Sequence, residues 1–395
     1  MAMLSGLRVL DCSDRLGWLA GRLLADLGAD VIKLEAPGAK VDASDWQAFN
    51  VNKRLLRLDL DTSEGRSALD RLIPQVDFLL ETAAPGNDPG AIFAHERLHR
   101  LNARLIQVSI TPFGASGPRT AWQATDLELM AAGGALSLAG EPEGKPVRVS
   151  VPQAAAWAGA QAAVGALVAL AQRGATGIGQ QVQVSAQAAV VTAVAHAPAF
   201  WDLLGVAPTR CGEFLTGRAI TGARFRAFWP CADGYLNFAL YGGPAGKRSN
   251  QQLLAWMQQT GADAGRFGEI DWKTFDPKIL TQAQIDALEA PVARFFTGIT
   301  KQQFLEGASA REVLGYPVST VADIAADPQL EARGFWQDTA AHGKQQRHCG
   351  SFAMVDGKRA ALRHAPGEPV SLAALYQEFG CQGIERGRKT AAAAS

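Results

Sequence analysis

The sequence has no excess of either charge. Its 395 residues include 38 basic and 38 acidic side chains, and the isoelectric point is near 7.0. Proteins that hold nucleic acid or anionic membranes through surface charge carry a basic patch and a basic isoelectric point. We therefore expect neither partner, and any anionic ligand must be held by a few local side chains.

Cysteine is scarce, and its spacing suggests no pairs. The five cysteines show no CxxC spacing, which disfavours a disulfide framework and fits a reducing cytoplasm: Cys12, Cys211, Cys231, Cys349 and Cys381. The opening "MAMLSGLRVLDCSDRLGWL" reaches the charged Arg8 and Asp11 before an apolar stretch of secretory length can form. We expect a cytoplasmic protein without an N-terminal targeting signal.

Motifs for dinucleotides, phosphates and metals are absent. The first strand-to-helix turn, "CSDRLGWLAG", contains Gly17 and Gly21 but no GxGxxG, and no GxxxxGK[ST] occurs anywhere. The histidines show no HExxH spacing, and the pair His95 and His99 fits surface packing better than metal ligation. Hydride transfer and metal chemistry are therefore disfavoured, and no metal is expected.

One long segment lacks charge altogether. The residues between Arg148 and Arg173 reach the length of a membrane span. Three glutamines interrupt the segment, and alanine rather than leucine dominates it, so its transfer into lipid is unfavourable. We predict a helix buried in protein and no membrane association.

The first part of the chain has the pattern of alternating strands and helices. "GLRVLDCS", "LAGRLLADLGA" and "DVIKLE" are typical of strand, helix and strand. A similar unit follows in "LLRLDLDTSEGRSALDRLIPQVDFLLE", with Thr62 or Ser63 as the helix cap, and "RLIQVSIT" adds another strand. This order predicts an α/β fold with an open parallel sheet and right-handed crossovers.

The pattern changes in the second half, and the chain is long enough for two domains. "RFRAFWPCADGYLNFALYGG" predicts a hairpin with its turn at Asp233 and Gly234, and helical stretches follow it. We place a smaller α+β domain at residues 206–329. The large domain then consists of residues 1–205 and 330–395.

The order of several segments resembles one family. "GLRVLDCSDRLGWLAGRLLADLGADVIKLEAPG", "NVNKRLLRLDLDTSEGRSALDRLIPQVDFLLE", "LNARLIQVSITPFGASGP", "DLELMAAGGALSLAGEPEGKPVRVSVP" and "GYPVSTVADIAADPQLEARGFW" are similar to successive blocks of class III CoA-transferases, the CaiB/BaiF type. The resemblance runs from about residue 4 to residue 336. It implies a Rossmann-like large domain built from both chain ends, and a dimer of interlocked rings.

The resemblance also implies a reaction. Members move coenzyme A from an acyl-CoA to a free carboxylic acid through covalent intermediates on an aspartate, with coenzyme A as substrate and no bound cofactor. Aligning "VRVSVP" without gaps places that aspartate at Ala155, which can neither attack nor carry a proton. Three explanations stay open: a lost nucleophile, a shifted alignment, and an alanine introduced by mutation.

The residues around Ala155 predict the start of a helix. "VRVS" is typical of a short strand, and Ser150 followed by Gln153 fits a capping box. Ala155 would then lie near the positive end of the helix dipole, where an aspartate would stay ionised. Without a nucleophile, Ala154, Ala155 and Ala156 are simply good helix formers.

Other positions also depart from the family. "ETAAPG" stands where the family commonly has "ENFRPG", so Thr82 and Ala84 replace an asparagine and an arginine expected to help hold coenzyme A. We expect weaker coenzyme A retention. The racemase branch has a histidine before the aspartate of its "GHD" segment, but here Thr125 precedes Asp126. An acyl-CoA racemase is therefore disfavoured.

Some candidate site residues remain. The resemblance places contacts to the nucleotide and phosphates at five positions, each of which could equally be an ordinary solvated side chain: Lys33, Asn52, Lys53, Arg54 and Arg104. "LYGGPAG" resembles the family's flexible loop over the acyl group, with Gly242, Gly243 and Gly246, or else it is a hairpin end. Asp126 and Glu128 are the nearest acids, and Asp126 fits a helix cap better than a catalytic residue.

Two functions of different class follow. The chain is the non-catalytic subunit of a hetero-oligomeric CoA-transferase that is completed by an active paralogue, or it is an active homodimeric CoA-transferase with a displaced nucleophile or a mutated Ala155. The combined loss of the aspartate, the arginine and the histidine favours the first. Neither the acyl donor nor the acceptor follows from the sequence.

Overall fold

The computed structural model describes residues 3–82, 92–216, 220–341 and 344–381. The chain forms two compact units. One comprises Met1–Leu136, Arg148–Ala207 and Pro328–Ser395, and the other comprises Ser137–Val147 and Pro208–Asp327. Residues 137–147 belong to the small unit, whereas the sequence pattern predicts them in the large domain. Arg210 ties them there by donating to the carbonyls of Glu141 and Gly144 at 3.2 and 2.9 Å.

The strands, in chain order, are β1 Arg8–Cys12, β2 Asp30–Glu35, β3 Arg54–Arg57, β4 Phe78–Glu81, β5 Ile106–Thr111, β6 Gln181–Ser185, β7 Phe214–Leu215, β8 Phe225–Arg226, β9 Phe228–Cys231, β10 Gly234–Phe238, β11 Gly315–Pro317, β12 Trp336–Ala341, β13 Lys344–Cys349, β14 Met354–Val355, β15 Lys358–Arg359 and β16 Glu368–Pro369.

The α-helices are α1 Trp18–Asp26, α2 Ser44–Asn50, α3 Ser63–Leu72, α4 His95–Leu101, α5 Asp126–Ala132, α6 Ala154–Thr176, α7 Ala186–Ala193, α8 His196–Leu204, α9 Gly243–Gln259, α10 Gln282–Thr297, α11 Lys301–Arg311, α12 Val321–Ala325, α13 Pro328–Ala332 and α14 Leu372–Phe379.

The large unit is built on one seven-stranded sheet. Its order is β16-β3-β2-β1-β4-β5-β6, and each neighbouring pair is parallel. The predicted open parallel α/β sheet is confirmed. Strand order reverses between β1 and β4, because β2 and β3 extend to one side of β1 while β4, β5 and β6 extend to the other. In open α/β sheets, such a switch point is where ligands bind, outside the carboxyl ends of the strands.

Apolar side chains cover both faces of this sheet. Val9, Val31 and Val108 pack with α1 and α6 on one face, and Leu10 and Ile32 pack with α3 and α14 on the other. The helix α14 was not predicted, and the short strand β16 pairs in parallel with β3. They fix the C-terminal segment to the edge of the sheet.

The uncharged segment forms α6, a helix of the large unit. Within the described part of the chain, α6 is the one helix long and apolar enough to cross a membrane. Its Ala158, Ala162 and Ala166 are fully buried against the sheet and α1, whereas Val164 and Val168 are exposed. One face of α6 therefore lies in the protein core, as predicted.

Two local predictions beside α6 are wrong. Residues 147–149 form no strand, pair with no strand of the described residues, and leave Val147 and Val149 exposed. The predicted capping box is also absent, since α6 begins at Ala154 with Gln153 as its N-cap and without a side-chain cap from its own residues.

The small unit has its own core. Strands β9, β10 and β11 form an antiparallel sheet, with the predicted hairpin between Cys231 and Gly234. Trp229, Phe238 and Phe296 are fully buried, and their rings meet with centroids 5.5 to 6.2 Å apart. Aromatic packing of this kind stabilises a small core beyond its buried area.

Glu289 on α10 gives this unit a pH-dependent stability. Its carboxylate accepts a hydrogen bond from the Arg226 amide at 2.8 Å, and burial raises its pKa to about 7. The unfolded chain loses the proton near pH 4.5, so the free energy of unfolding falls as the pH rises from about 4.5 to 7. We expect Glu289→Gln, which keeps the acceptor oxygen, to raise the melting temperature at pH 8 by several degrees.

Thermal unfolding at pH 5, 6, 7 and 8 tests this expectation. The variant and the native chain should converge at pH 5 and separate as the pH rises. The exposed Glu306 on α11 of the same unit provides the matched control, Glu306→Gln. Equal melting temperatures of Glu289→Gln and the native chain at pH 8 would contradict the assignment.

Candidate functional site

The loops that follow β1 and β4 meet at the switch point. The amide of Asp14 donates to the hydroxyl of Thr82 at 2.8 Å, and the carboxylate of Asp14 accepts the amide of Leu16 at 2.9 Å. The first bond joins the two loops where the strand order reverses, and the second orders the loop after β1. Thr82, noted in the sequence as a departure from the family, therefore has a structural role here.

A cavity of about 240 Å³ opens at this point. Its wall comes from the loops after β1, β4 and β5 and from the first residues of α5 and α6, including Leu16, Thr82, Pro112, Asp126, Pro152 and Ala155. Ala155 thus lines a cavity at the switch point of the sheet. No acidic residue stands in the first turn of α6.

The nearest carboxylate belongs to Asp126, the first residue of α5. Its two oxygens accept hydrogen bonds from the amides of Gln153 and Ala155 at 3.1 and 3.2 Å. Asp126 was expected to cap a helix, and the helix that it caps is α6. A capping box between Thr125 and Glu128 starts α5 itself, with the Thr125 amide 2.6 Å from the Glu128 carboxylate.

A second, shallower cavity adjoins the first along the carboxyl ends of β1, β2 and β3. It has a volume of about 330 Å³, includes Lys33 and Glu35, and shares Asp14 and Thr82 with the cavity beside Ala155. The two cavities meet at these shared residues, and the name cleft is used for both together.

Beneath the cleft lies a buried cluster of charged groups. Lys53 Nζ is 2.8 Å from the carboxylate of Asp11 and donates to the Trp18 carbonyl and to Asn50 Oδ1, both also at 2.8 Å. Burial alone would raise the pKa of Asp11, but attraction by Lys53 and Lys33 holds this pKa below its usual value. All three ammonium protons of Lys53 are therefore used inside the protein.

Gly21 and Lys33 complete this cluster. A Cβ at Gly21 would lie 2.2 Å from the Asp11 carboxylate, so only glycine lets α1 pass over the ion pair. Lys33 Nζ donates to the carbonyls of Ser13 and Leu34 at 2.7 and 2.9 Å. Sequence reasoning missed Asp11, although an acid at the end of a buried strand was a signal for it.

The other three predicted nucleotide contacts lie away from the cleft. Asn52, with φ +70°, accepts the Arg363 amide at 2.8 Å and donates to Asp26 at 3.1 Å. Arg54 pairs with Asp30 at the start of β2, and Arg104 donates to the Gly177 carbonyl at 3.0 Å near the start of β5. The structure thus does not bring the five residues together, and only Lys33 lines the cleft.

The predicted glycine loop is shorter than expected. Gly243 begins α9 and Gly246 lies buried in its first turn, where a Cβ would come within 2.5 Å of Tyr241, so only the residues up to Gly242 are loop. Gly242 and Gly243 line a cavity of about 540 Å³ within the small unit. Ala84 lies outside the described residues. Among the residues that are described, no group of acids, histidines and cysteines could hold a metal ion.

The sheet order and the cleft define the class of protein. Apart from the edge strand β16, the sheet has the strand order 3-2-1-4-5-6, and its cleft lies at the switch point. This is a Rossmann-like fold, of the kind that binds nucleotide-containing ligands. The model of CoA-transferase family III matches residues 4–369. The chain belongs to this family, and the resemblance seen in the sequence is confirmed.

Relatives and solved structures agree. The chain is 34% identical over 355 residues to succinyl-CoA:(R)-benzylsuccinate CoA-transferase subunit BbsE of Thauera aromatica, covering 84% of this chain and 83% of that one. It is 29% identical to succinyl-CoA–D-citramalate CoA-transferase of Chloroflexus aurantiacus, covering 84% and 82%. A CaiB/BaiF family protein from Brucella suis superposes with a TM-score of 0.79 at 26% identity, covering 95% and 99%.

Proposed function

We propose that this chain is the non-catalytic subunit of a hetero-oligomeric class III CoA-transferase. It holds a CoA thioester in the cleft across the switch point and is completed by a paralogue that carries the aspartate. The single observation that carries this proposal is Ala155, which lines the cavity at the start of α6 and has only a methyl side chain.

The alternative is an active homodimer in which Asp126 replaces the nucleophile. Its carboxylate is beside Ala155, but both of its oxygens already accept backbone amides of α6. Those hydrogen bonds stabilise the negative charge that an attack on a thioester would consume. A racemase remains disfavoured, because Thr125 stands where a histidine is expected and belongs to the capping box of α5.

An apolar surface supports a partner subunit. No residue of α8 is buried, although the helix carries Phe200, Trp201, Leu203 and Leu204. Trp201 is 64% exposed and Leu203 is 78% exposed. Several large apolar side chains exposed on one helix are costly in water and are typical of a site of protein association. The relative from Thauera aromatica is named as a subunit, which agrees with this arrangement.

We expect the purified chain to bind CoA thioesters. Calorimetry with succinyl-CoA as the probe should show saturable binding, because the two adjoining cavities lie at the switch point where open α/β sheets bind their ligands. Thr82→Trp, which fills the part shared by both cavities, should abolish binding. Thr176→Trp, an exposed site at the far end of α6, is the matched control. No heat and no rise in melting temperature at millimolar succinyl-CoA would contradict the proposal.

Co-purification with a partner tests the subunit role. An affinity-tagged chain expressed in its own host should bring down a family III paralogue with aspartate at the position of Ala155. Mixing that paralogue with the chain should restore CoA transfer. Isolation of an active homo-oligomer would favour the alternative function instead.

A further inference from the structure

Helix α6 lacks a cap from its own sequence. Gln153 at the N-cap makes no side-chain hydrogen bond to the first turn, and the residues that follow it are alanines. The first amides of a helix have no partners within the helix and must be satisfied by other groups. In this chain the missing cap matters, since the same first turn forms the cavity wall at residue 155.

Asp126 supplies this cap from another helix. Its carboxylate accepts the amides of Gln153 and Ala155, which lie 27 and 29 positions further along the chain. Asp126 therefore joins the start of α5 to the start of α6. Asp126 is itself held in place, because the capping box of Thr125 and Glu128 fixes the first turn of α5 and Leu129 is buried in the core. A carboxylate is also favourable at the positive end of the helix dipole.

We propose that Asp126 is a positioning residue of this site. Its carboxylate holds the first turn of α6 against the switch point and so sets where residue 155 lies in the cavity wall. This inference rests on the proposed function for the meaning of the cavity, but its geometry stands on the two hydrogen bonds alone. Asp126 acts through the backbone of α6 and is not the nucleophile.

Hydrogen exchange tests the positioning role in the native chain. Asp126→Ala should speed the exchange of the amides in a peptide spanning residues 151–158 by about fivefold, the effect of losing a helix cap. Asp126→Asn keeps one acceptor oxygen and should give a smaller increase. A peptide from the β9–β10 hairpin should be unaffected. Asp202→Asn, an exposed acid on α8, is the matched control. Unchanged exchange in Asp126→Ala would overturn the proposal.

A second readout separates positioning from simple stability. In an Ala155→Asp background, the new carboxylate should attack the thioester carbonyl of succinyl-CoA, releasing CoA as the thiolate and leaving a mixed anhydride at residue 155 that hydroxylamine traps. Adding Asp126→Ala should lower the maximal labelling rate at least about tenfold, because a misplacement of about 1 Å can cost a hundredfold. The succinyl-CoA concentration for half-maximal labelling should stay unchanged. Asp126→Asn should recover part of the rate.

The outcomes distinguish this inference from the proposed function. If exchange near residue 155 responds to Asp126→Ala while no CoA thioester binds, the positioning role stands and the proposed function fails. If thioesters bind but Asp126→Ala changes neither exchange nor the labelling rate, the positioning role fails alone. Trapped label on Asp126 itself would overturn the inference, because Asp126 would then be the nucleophile.

Discussion

Purified without a partner, the chain is expected to transfer no coenzyme A between succinyl-CoA and a panel of carboxylic acids. The transfer needs a covalent nucleophile, and Ala155 offers only a methyl group at the cavity wall. Loss of a nucleophile lowers the rate by a factor on the order of 10⁴ or more. Chromatography that detects the release of free thiol and the formation of the new thioester measures the transfer directly.

The purified paralogue complex is the control for these assays. It should show turnover under the same conditions, and it should lose that turnover when the paralogue's aspartate is replaced by asparagine. Turnover by the isolated chain that survives repeated purification would contradict the expectation. Turnover that disappears with Asp126→Asn would further indicate the displaced nucleophile.

Lys53→Met is expected to lower the free energy of unfolding by roughly 3–5 kcal/mol, the cost of leaving one charge of a buried pair without its partner. The ammonium is 2.8 Å from the Asp11 carboxylate, and neither side chain is accessible to solvent. Urea unfolding followed by circular dichroism measures the loss. The resemblance implies that Lys53 contacts coenzyme A, whereas this result would show that Lys53 stabilises the fold.

Two variants make the Lys53 result specific. Arg54→Met removes a neighbouring cation whose pairs with Asp30 and Glu378 are partly exposed, so its loss should be about 1 kcal/mol or less. Lys53→Met combined with Asp11→Leu should recover part of the stability, because the uncompensated carboxylate is gone. A stable Lys53→Met protein with weakened succinyl-CoA binding would contradict a purely structural role.

The parallel sheet was predictable because its strands and helices have clear periodicities. "GLRVLDCS" and "DVIKLE" became β1 and β2, and Thr62 caps α3 by accepting the amide of Gly65, one of the two caps predicted. These features depend on residues close together in sequence. The strand predicted at residues 147–149 failed for the opposite reason, since alternation alone cannot show whether a neighbouring strand exists.

The candidate site was predictable only in part. The position of Ala155 at the start of a helix followed from the sequence. The cap of that helix did not, because Asp126 lies 27 and 29 residues before the two backbone amides that it accepts. Lys53 was predicted as a ligand contact because of the family resemblance, and its burial beside Asp11 depends on how β1 and β3 flank β2. The short strand β16 has too few residues for any periodicity.

Covalent mapping of the native chain tests the central claim most directly. The purified chain is incubated with succinyl-CoA, quenched with hydroxylamine, digested and examined by mass spectrometry across the peptides that contain residues 126, 128 and 155. The non-catalytic role predicts no hydroxamate at any of these positions, while the aspartate of the co-purified paralogue is labelled in a parallel sample. A stoichiometric hydroxamate on Asp126 or Glu128 of the isolated chain would contradict it.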